Sequence, residues 1–566
     1  MICNPVIPGF NPDPSIVRVD GDYYIATSTF EWLPAVQLHH SSDLQHWELI
    51  GHVLGGDRAP DLRGVHPSGG VWAPSLSHDA ATGLFHVVYS VMRNQAGEQF
   101  DVSNFLVTAP AIDGPWSEPV YLNSVGFDAS LFHDEDGRKW LVTLEWDPRE
   151  EYEHPGAIVL EEYDPAAGRL VGPARPISRG STDRGCLEAP HLFRRGGWYY
   201  LMTAEGGTGF GHAVALARSR SIEGPYEPAP RNPVITSSPA PYSARGDHDF
   251  LRPHLFDPDA ELQKAGHGSV VETADGEWYV AHLSSRPLPG TMRSVLGRET
   301  SLQKVRWTPD GWLELAAGGT LAQATTEGPA GPTGAVHPAP ATVHDDFDGH
   351  ALDVNLSTLR VPAQPDWADL AARPGFLRLH GRDSLFSRFD VSLVAARLQG
   401  FQATATTLVE FAPEHFSHAA GLTVFYDDGN WFYLRVYLSE TLGGRALGIL
   451  EADGGHRRER LGDRVALPDG PIVLRADIDH GSLQFSWHRP GAAPTPIGDV
   501  LDTSRLADEP LRGFTGTMIG ITCQDAFRRT ARADFDWFRL RHRSDGDLTW
   551  PTRTPEGTDA VPGQDG

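Results

Sequence analysis

Short runs of β-branched and aromatic residues, each broken by a Gly-containing turn, set the rhythm of the first half of the chain. Ser15-Ile16 leads through Asp20-Gly21 into Tyr23-Tyr24-Ile25-Ala26-Thr27, and Ser75-Leu76 through Gly83 into Leu84-Phe85-His86-Val87-Val88-Tyr89. Ser130-Leu131 leads through Asp136-Gly137 into Trp140-Leu141-Val142. His191-Leu192 leads through Gly196-Gly197 into Trp198-Tyr199-Tyr200-Leu201, and Ser269-Val270 through Asp275-Gly276 into Trp278-Tyr279-Val280. Each copy predicts strand, tight turn, strand. Radial repetition of such sheets gives a β-propeller, and five copies predict five blades. The copies stand roughly 55 to 80 residues apart, so the blades carry loop insertions.

A second internal likeness supports the repeat. Leu106-Val107-Thr108-Ala109 with Gly114-Pro115-Trp116 parallels Leu216-Ala217-Arg218-Ser219 with Gly224-Pro225-Tyr226. The repeats occupy residues 1–315. Residues 316–343 are rich in Ala, Gly, Pro and Thr and read as an extended linker. From 344 to 543 the pattern alternates, as in Ala405-Thr406-Thr407-Leu408-Val409-Glu410-Phe411. A hairpin follows, Leu422-Thr423-Val424-Phe425-Tyr426 turning through Asp427-Asp428-Gly429-Asn430. Many strands with almost no helical period predict a β-sandwich of jelly-roll type. The tail 544–566 is polar with Pro and Gly and is expected to be disordered. The fold class expected is therefore all-β: a five-bladed propeller followed by a sandwich.

Charge narrows the partners. Across 566 residues, 47 basic against 74 acidic side chains leave a formal charge of −27, which argues against nucleic acid and anionic membrane. Met1-Ile2-Cys3-Asn4-Pro5 shows no basic or apolar leader pattern, and no apolar run is long enough to cross a bilayer. Cys3, Cys186 and Cys523 offer neither a disulfide framework nor zinc spacing. A cytoplasmic location is expected.

The repeat also focuses chemistry. Its opening position holds Asp13, Ala73, Asp128, Glu188 (one residue earlier in register) and His267. Equivalent positions in a propeller stand at equivalent distances from the axis, so three carboxylates and an imidazole should converge on one cavity. Acid–base cleavage of a glycosidic bond needs such carboxylates. Glu188, between Leu187 and Ala189-Pro190, is easily desolvated, which suits a general acid. Asp13, between two prolines, would alone read as a turn residue; its place in the repeat favours function. Asp128, after Gly126-Phe127, fits a supporting carboxylate. His267, between two glycines, could ligate a metal, hold a water or be structural. Phe30, Trp32 and Trp72 fall in expected rim loops, where aromatic faces suit a sugar. Arg298 could bind hydroxyls and keep a nearby carboxylate ionised.

With these residues in place the chain resembles the family 43 glycoside hydrolases, in particular two-domain β-xylosidases with α-L-arabinofuranosidase side activity. The matching stretches include Pro8-Gly9-Phe10-Asn11-Pro12-Asp13-Pro14-Ser15, Gly69-Gly70-Val71-Trp72-Ala73-Pro74 and Glu188-Ala189-Pro190-His191-Leu192. Further matches are Glu205-Gly206-Gly207-Thr208-Gly209-Phe210-Gly211-His212 and Gly297-Arg298-Glu299-Thr300. The resemblance implies Asp13 as general base, Glu188 as general acid, Asp128 as the residue tuning the acid, and Arg298 at the cleaved sugar. Two features depart from the family pattern: Asp128-Ala129-Ser130 stands where Asp-Pro-Ser is usual, and Cys186 lies near the acid.

The expected activity is exo-acting, inverting release of xylose from the non-reducing end of β-1,4-xylo-oligosaccharides. The rivals are an α-L-arabinofuranosidase and a non-catalytic sugar-binding propeller. Inversion needs the two carboxyls roughly 6.5–9.5 Å apart. No cofactor is expected to be required, with Ca²⁺ beside His267 as an option at the propeller axis. The sandwich is either a carbohydrate-binding module or a wall of the site. In the second case Phe527, in Cys523-Gln524-Asp525-Ala526-Phe527-Arg528-Arg529, should approach the pocket mouth, with a homo-oligomer implied if it does so in trans.

Overall fold

The computed structural model describes residues 1–149, 156–244, 249–329 and 337–543. Strands dominate, and no helix among these residues is long and apolar enough to cross a membrane. The expected tail, 544–566, lies outside the described residues.

Five antiparallel sheets of successive strands form the blades. The first uses Ser15–Val19, Asp22–Thr27, Ala35–Ser41 and Glu48–Leu54, in that order outward. The other four begin with Gly70–Asp79, Ser130–His133, Glu188–Arg195 and Gln263–Glu272. These five leading strands pack side by side in a closed ring, the first also touching the last.

Serines of the repeat stitch the ring. Ser15 Oγ accepts from the Leu76 N–H (2.9 Å), and Ser130 Oγ donates to the Pro190 carbonyl (2.5 Å). Ser269 Oγ donates to the Pro14 carbonyl (2.8 Å) and accepts from the Ile16 N–H (3.0 Å). Each bond crosses from one blade to the next, satisfying backbone groups that no ladder reaches. A small hydroxyl residue therefore recurs there for a structural reason, independent of catalysis.

One residue just before or early in each leading strand is left-handed: Asp13 (φ 57°), Ala73 (39°), Asp128 (56°), Ala189 (49°) and His267 (51°). A non-glycine in this region is uncommon, and five in register mark a conformation that the architecture imposes. Asp128 adopts it without the usual following proline; buried Ala129 takes that place.

Residues 316–329, read above as linker, instead belong to the propeller. Thr325–Thr326 pairs with Ile2–Cys3, Leu321 bridges Thr236, and Ile7 bridges Thr300. The two ends of the propeller segment thus close the circle.

The sandwich consists of a nine-stranded and an eight-stranded sheet. Their facing surfaces enclose one apolar core, with Phe347, Trp367, Phe432, Leu434, Phe485 and Phe535 fully buried. His418–Asp427 and Asn430–Ser439 are buried on both faces: Leu422, Val424, Phe432 and Leu434 point into this core, and Phe425, Trp431 and Tyr433 join a second apolar cluster with Trp32 of the propeller. Trp32–Leu33 of the propeller pairs with Ser357–Leu359 and is itself an edge strand of the nine-stranded sheet. The two units share backbone hydrogen bonds as well as side-chain contacts.

Candidate active site

Three left-handed openings and one residue beside another build the centre. Asp13 is buried, and its Oδ2 accepts from Ser28 Oγ–H (2.6 Å). Ser28 Oγ in turn accepts from the Ala73 N–H (2.7 Å), which ties the first blade's carboxylate to the second blade. Arg298 Nη1 donates to Asp13 Oδ1 (3.3 Å), and His267 Nδ1 stands 3.6 Å from the same oxygen. Asp128 Oδ2 accepts from the Ala189 N–H (3.2 Å), the residue next to Glu188. The third blade thereby fixes the backbone that carries Glu188.

Glu188 lies one residue before its blade's left-handed residue, where the ladder to Trp198–Glu205 shifts register. Burial, together with the charge of Asp13, pushes its carboxyl up to about 7. Arg298 and Arg252 pull it partly back. Burial first, then the charges of Glu188 and Asp13, hold the Asp128 carboxyl far above its ordinary range. Burial and mutual repulsion oppose ionising all three together, which favours retention of protons on Asp128 and Glu188.

Arg298 organises the sugar side. Its Nη1 also donates to Thr208 Oγ1 (2.7 Å), and its Nη2 donates to the Phe514 carbonyl (3.3 Å). The guanidinium stands 5.4 Å from the Phe30 ring centroid and 5.7 Å from that of Phe514. Around it runs an aromatic wall: Phe30–Trp72 at 5.8 Å, Trp72–Phe127 at 5.5 Å, Trp72–Phe514 at 6.3 Å and Phe514–Phe250 at 5.6 Å. Such faces suit the C–H surface of a sugar ring, while Arg298 and the carboxylates suit its hydroxyls.

Phe514 comes from the sandwich, within one chain. Its N–H donates to Ser68 Oγ (3.0 Å), and the Thr517 N–H donates to the Val295 carbonyl (3.0 Å). The preceding turn is anchored by fully buried Lys264, whose Nζ stands 2.6 Å from Glu509 Oε1 and 3.7 Å from Asp508 Oδ2. Ser294 donates to Glu509 through its N–H (2.7 Å) and Oγ–H (2.8 Å), and Tyr426 Oη–H donates to Asp508 (2.7 Å). A glycine is required at 297, since a Cβ there would stand 2.3 Å from the Thr515 carbonyl oxygen.

Within one chain, Phe527 does not reach the pocket mouth. Its ring is 52% exposed and stacks on His415 of its own domain at 4.1 Å. Asp525 caps that turn, accepting from the N–H groups of Phe527, Arg528, Thr530 and Ala531. The turn is thus a self-contained feature of the sandwich, and Phe514 occupies the role assigned to Phe527. Trp32 is buried against Phe425 of the sandwich and serves the domain junction instead of the rim. Thr208 lies in a stretch that stands out in sequence, but only the fold turns it towards Arg298.

His267 does not stand in a metal-ligand set. Among the described residues no group of three His, Cys, Asp or Glu side chains could hold a metal ion. Asp13 is the carboxylate beside it, and Ca²⁺ prefers several oxygen ligands. Burial lowers the proton affinity of His267, and Asp13 partly restores it. Cys186, itself left-handed (φ 48°), places its Sγ 3.9 Å from Arg252 Nη2. That contact braces the loop ahead of Glu188.

Comparison with known proteins agrees with this geometry. Residues 2–313 match the model of Glycosyl hydrolases family 43, and residues 344–541 that of the Beta xylosidase C-terminal Concanavalin A-like domain. A Xylosidase/arabinosidase 43B of Humicola insolens is 42% identical over 561 residues, covering 96% of this chain and 98% of that protein. A Beta-xylosidase of Bacillus subtilis (strain 168) is 40% identical over 562 residues, covering 96% and 100%. The crystal structure of a xylan beta-1,4-xylosidase from Bacillus halodurans C-125 superposes with a TM-score of 0.88 at 45% identity, covering 96% of this chain and 100% of that one. The buried carboxylates at the centre of five blades therefore belong to a chain that is a member of glycosyl hydrolases family 43.

Proposed function

We propose that the protein removes single xylose units from the non-reducing end of β-1,4-xylo-oligosaccharides by one displacement with inversion. The observation that carries this reading is the contrast between two carboxyls facing one site. The half-buried Glu188 carboxyl is pushed up to about 7, whereas buried Asp13 accepts hydrogen bonds from Ser28 and Arg298. Glu188 gives its proton to the leaving oxygen as the glycosidic bond breaks. Asp13 takes a proton from the water that attacks the anomeric carbon on the opposite face. The anomeric centre inverts, and both protons are accounted for: one leaves with the aglycone and one rests on Asp13. Asp128, whose Oδ2 accepts from the Ala189 N–H, fixes the backbone that carries Glu188 and so orients the acid. Arg298 and the aromatic wall hold the terminal sugar.

The exo preference follows from the sandwich. Phe514 stands across the site from Phe30, with Arg298 between them, so a sugar stacked there meets a barrier on its far side. The names of the relatives, xylosidases and arabinosidases together, support a five-carbon sugar at this subsite.

Rates on xylobiose and on 4-nitrophenyl α-L-arabinofuranoside, measured side by side, test the substrate. Higher kcat/KM on xylobiose is expected. A clear preference for the arabinofuranoside would replace this reading with the arabinofuranosidase one.

A further inference from the structure

A cavity of about 350 Å³ lies between the first blade, the N-terminal segment and the sandwich. It is separate from the site above and shares none of Phe30, Trp72, Arg298 or Phe514. Asn11, Gln37, His39 and Arg397 line its buried part, and His46, Glu48 and His337 line its exposed rim.

Arg397 is the unusual group. It ends the strand Ser392–Arg397 and is 4% exposed. Its Nε donates to the Phe10 carbonyl (2.8 Å) and its Nη1 to Ser357 Oγ (3.2 Å), while the buried Nη2 has no protein partner. Among the described residues no carboxylate is in ion-pair reach of it, and the one acid lining the cavity is Glu48 on the rim. Three other buried arginines have carboxylates to compensate them: Arg298 by Asp13, Arg435 by Glu459, and Arg360 by the field of Glu31 and Asp428. Burial alone draws the Arg397 guanidinium down to about 9, with no acid opposing the shift. An uncompensated buried guanidinium invites an anion with paired oxygens.

The neighbouring groups refine the ligand. Asn11 Oδ1, Gln37 Oε1 and Gln45 Oε1 are buried acceptors without partners. Asn11 commits its Nδ2 to the Pro8 carbonyl (2.9 Å), which fixes the unpartnered atom as its oxygen. A ligand that satisfies this set must accept from Arg397 and donate to the carboxamides. The volume lies at the lower end of small-molecule sites, about 300 Å³ and upward. We propose that this cavity binds a small hydroxylated carboxylate, its carboxylate on Arg397 and its hydroxyls on Asn11, Gln37 and Gln45.

Calorimetric titration of the full chain with sodium gluconate tests this. Propionate (carboxylate alone), xylitol (hydroxyls alone) and sodium chloride at matched ionic strength serve as controls. Saturable gluconate binding is expected, with propionate and xylitol weaker by about tenfold or more. Arg397→Met should abolish it. Gln37→Leu should weaken it about tenfold with kcat/KM on aryl xyloside unchanged, and decides the matter if Arg397→Met does not fold. Heat from gluconate no different from that of chloride would overturn the proposal. So would saturable binding that Gln37→Leu leaves intact and that competes with substrate, since the ligand would then sit at the carboxylate site.

Discussion

In the propeller, five strands bring the same backbone position to one axis, and the groups at the centre come from that repetition. In the sandwich, two large sheets enclose a core of their own, and one stretch outside them, a helical turn and loop over 508–517, reaches the site. Asp13, Asp128 and Glu188 sit on or beside left-handed residues whose conformation recurs five times. Phe514 sits on a turn that occurs once, held by Lys264, Ser294 and Ser68 of the propeller. Repetition places reacting groups accurately because every blade constrains its neighbour. A single inserted turn can change shape without disturbing them, which makes it the natural place to adjust what enters. The division expected is chemistry from the propeller and substrate selection from the sandwich.

Substitutions at the carboxylates should break the propeller's share outright. Asp13→Ala should lower kcat on both xylobiose and 4-nitrophenyl β-xyloside by roughly 10²–10⁴-fold, since water needs activation in either case. Glu188→Ala should lower xylobiose turnover by a similar factor but cost the aryl xyloside far less, because its leaving group needs little protonation. Steady-state rates on the two substrates separate the roles. Equal losses in Glu188→Ala would assign that residue to something other than acid catalysis.

Phe514→Ala should have a smaller and different effect. Losing one wall of the sugar site should reduce kcat/KM on xylobiose about tenfold, some 1.4 kcal/mol of contact, mostly through KM. A loss carried wholly by kcat would mean that the sandwich takes part in the chemistry.

The pH profile sharpens the same contrast. Glu188 must be protonated to act, and its affinity for the proton is raised by burial and by Asp13. Activity is therefore present below its pKa and lost as pH rises through it. The alkaline limb of kcat/KM should fall tenfold per pH unit above about 7 in the wild type. The same limb should appear in Phe514→Ala, because the sandwich residue does not set that proton's affinity. Phe527→Ala marks the other end of the scale. With its ring stacked on His415 in the sandwich, kcat/KM should stay within about twofold of wild type and stability within ~0.5 kcal/mol.

The unequal legibility of the two regions has the same origin. Strand–turn–strand repeats and a short polar residue ahead of Ser-Ile or Ser-Leu announce the blades and place Asp13, Asp128 and His267 in register. Glu188 is readable as one residue out of step, and the register shift before His191 is the reason. Nothing marks Phe514. It lies in Arg512-Gly513-Phe514-Thr515-Gly516, without period, and its partners Arg298 and Ser68 are 216 and 446 residues away. Phe527, followed by two arginines ahead of a clear strand, looks more like a site residue, yet Asp525 closes that turn on itself. Composition also misreads residues 316–329. Thr325–Thr326 is too short a strand to show alternation, and its pairing partner, Ile2–Cys3, is at the other end of the propeller segment.

The most direct test is the anomer released first. Proton NMR during the opening turnovers on a β-xyloside distinguishes one displacement from two. Attack by water held on Asp13, with Glu188 protonating the leaving group, predicts α-xylose appearing first and the β anomer growing only by mutarotation. β-Xylose as the initial product would require a covalent intermediate and would contradict the roles given to Asp13 and Glu188.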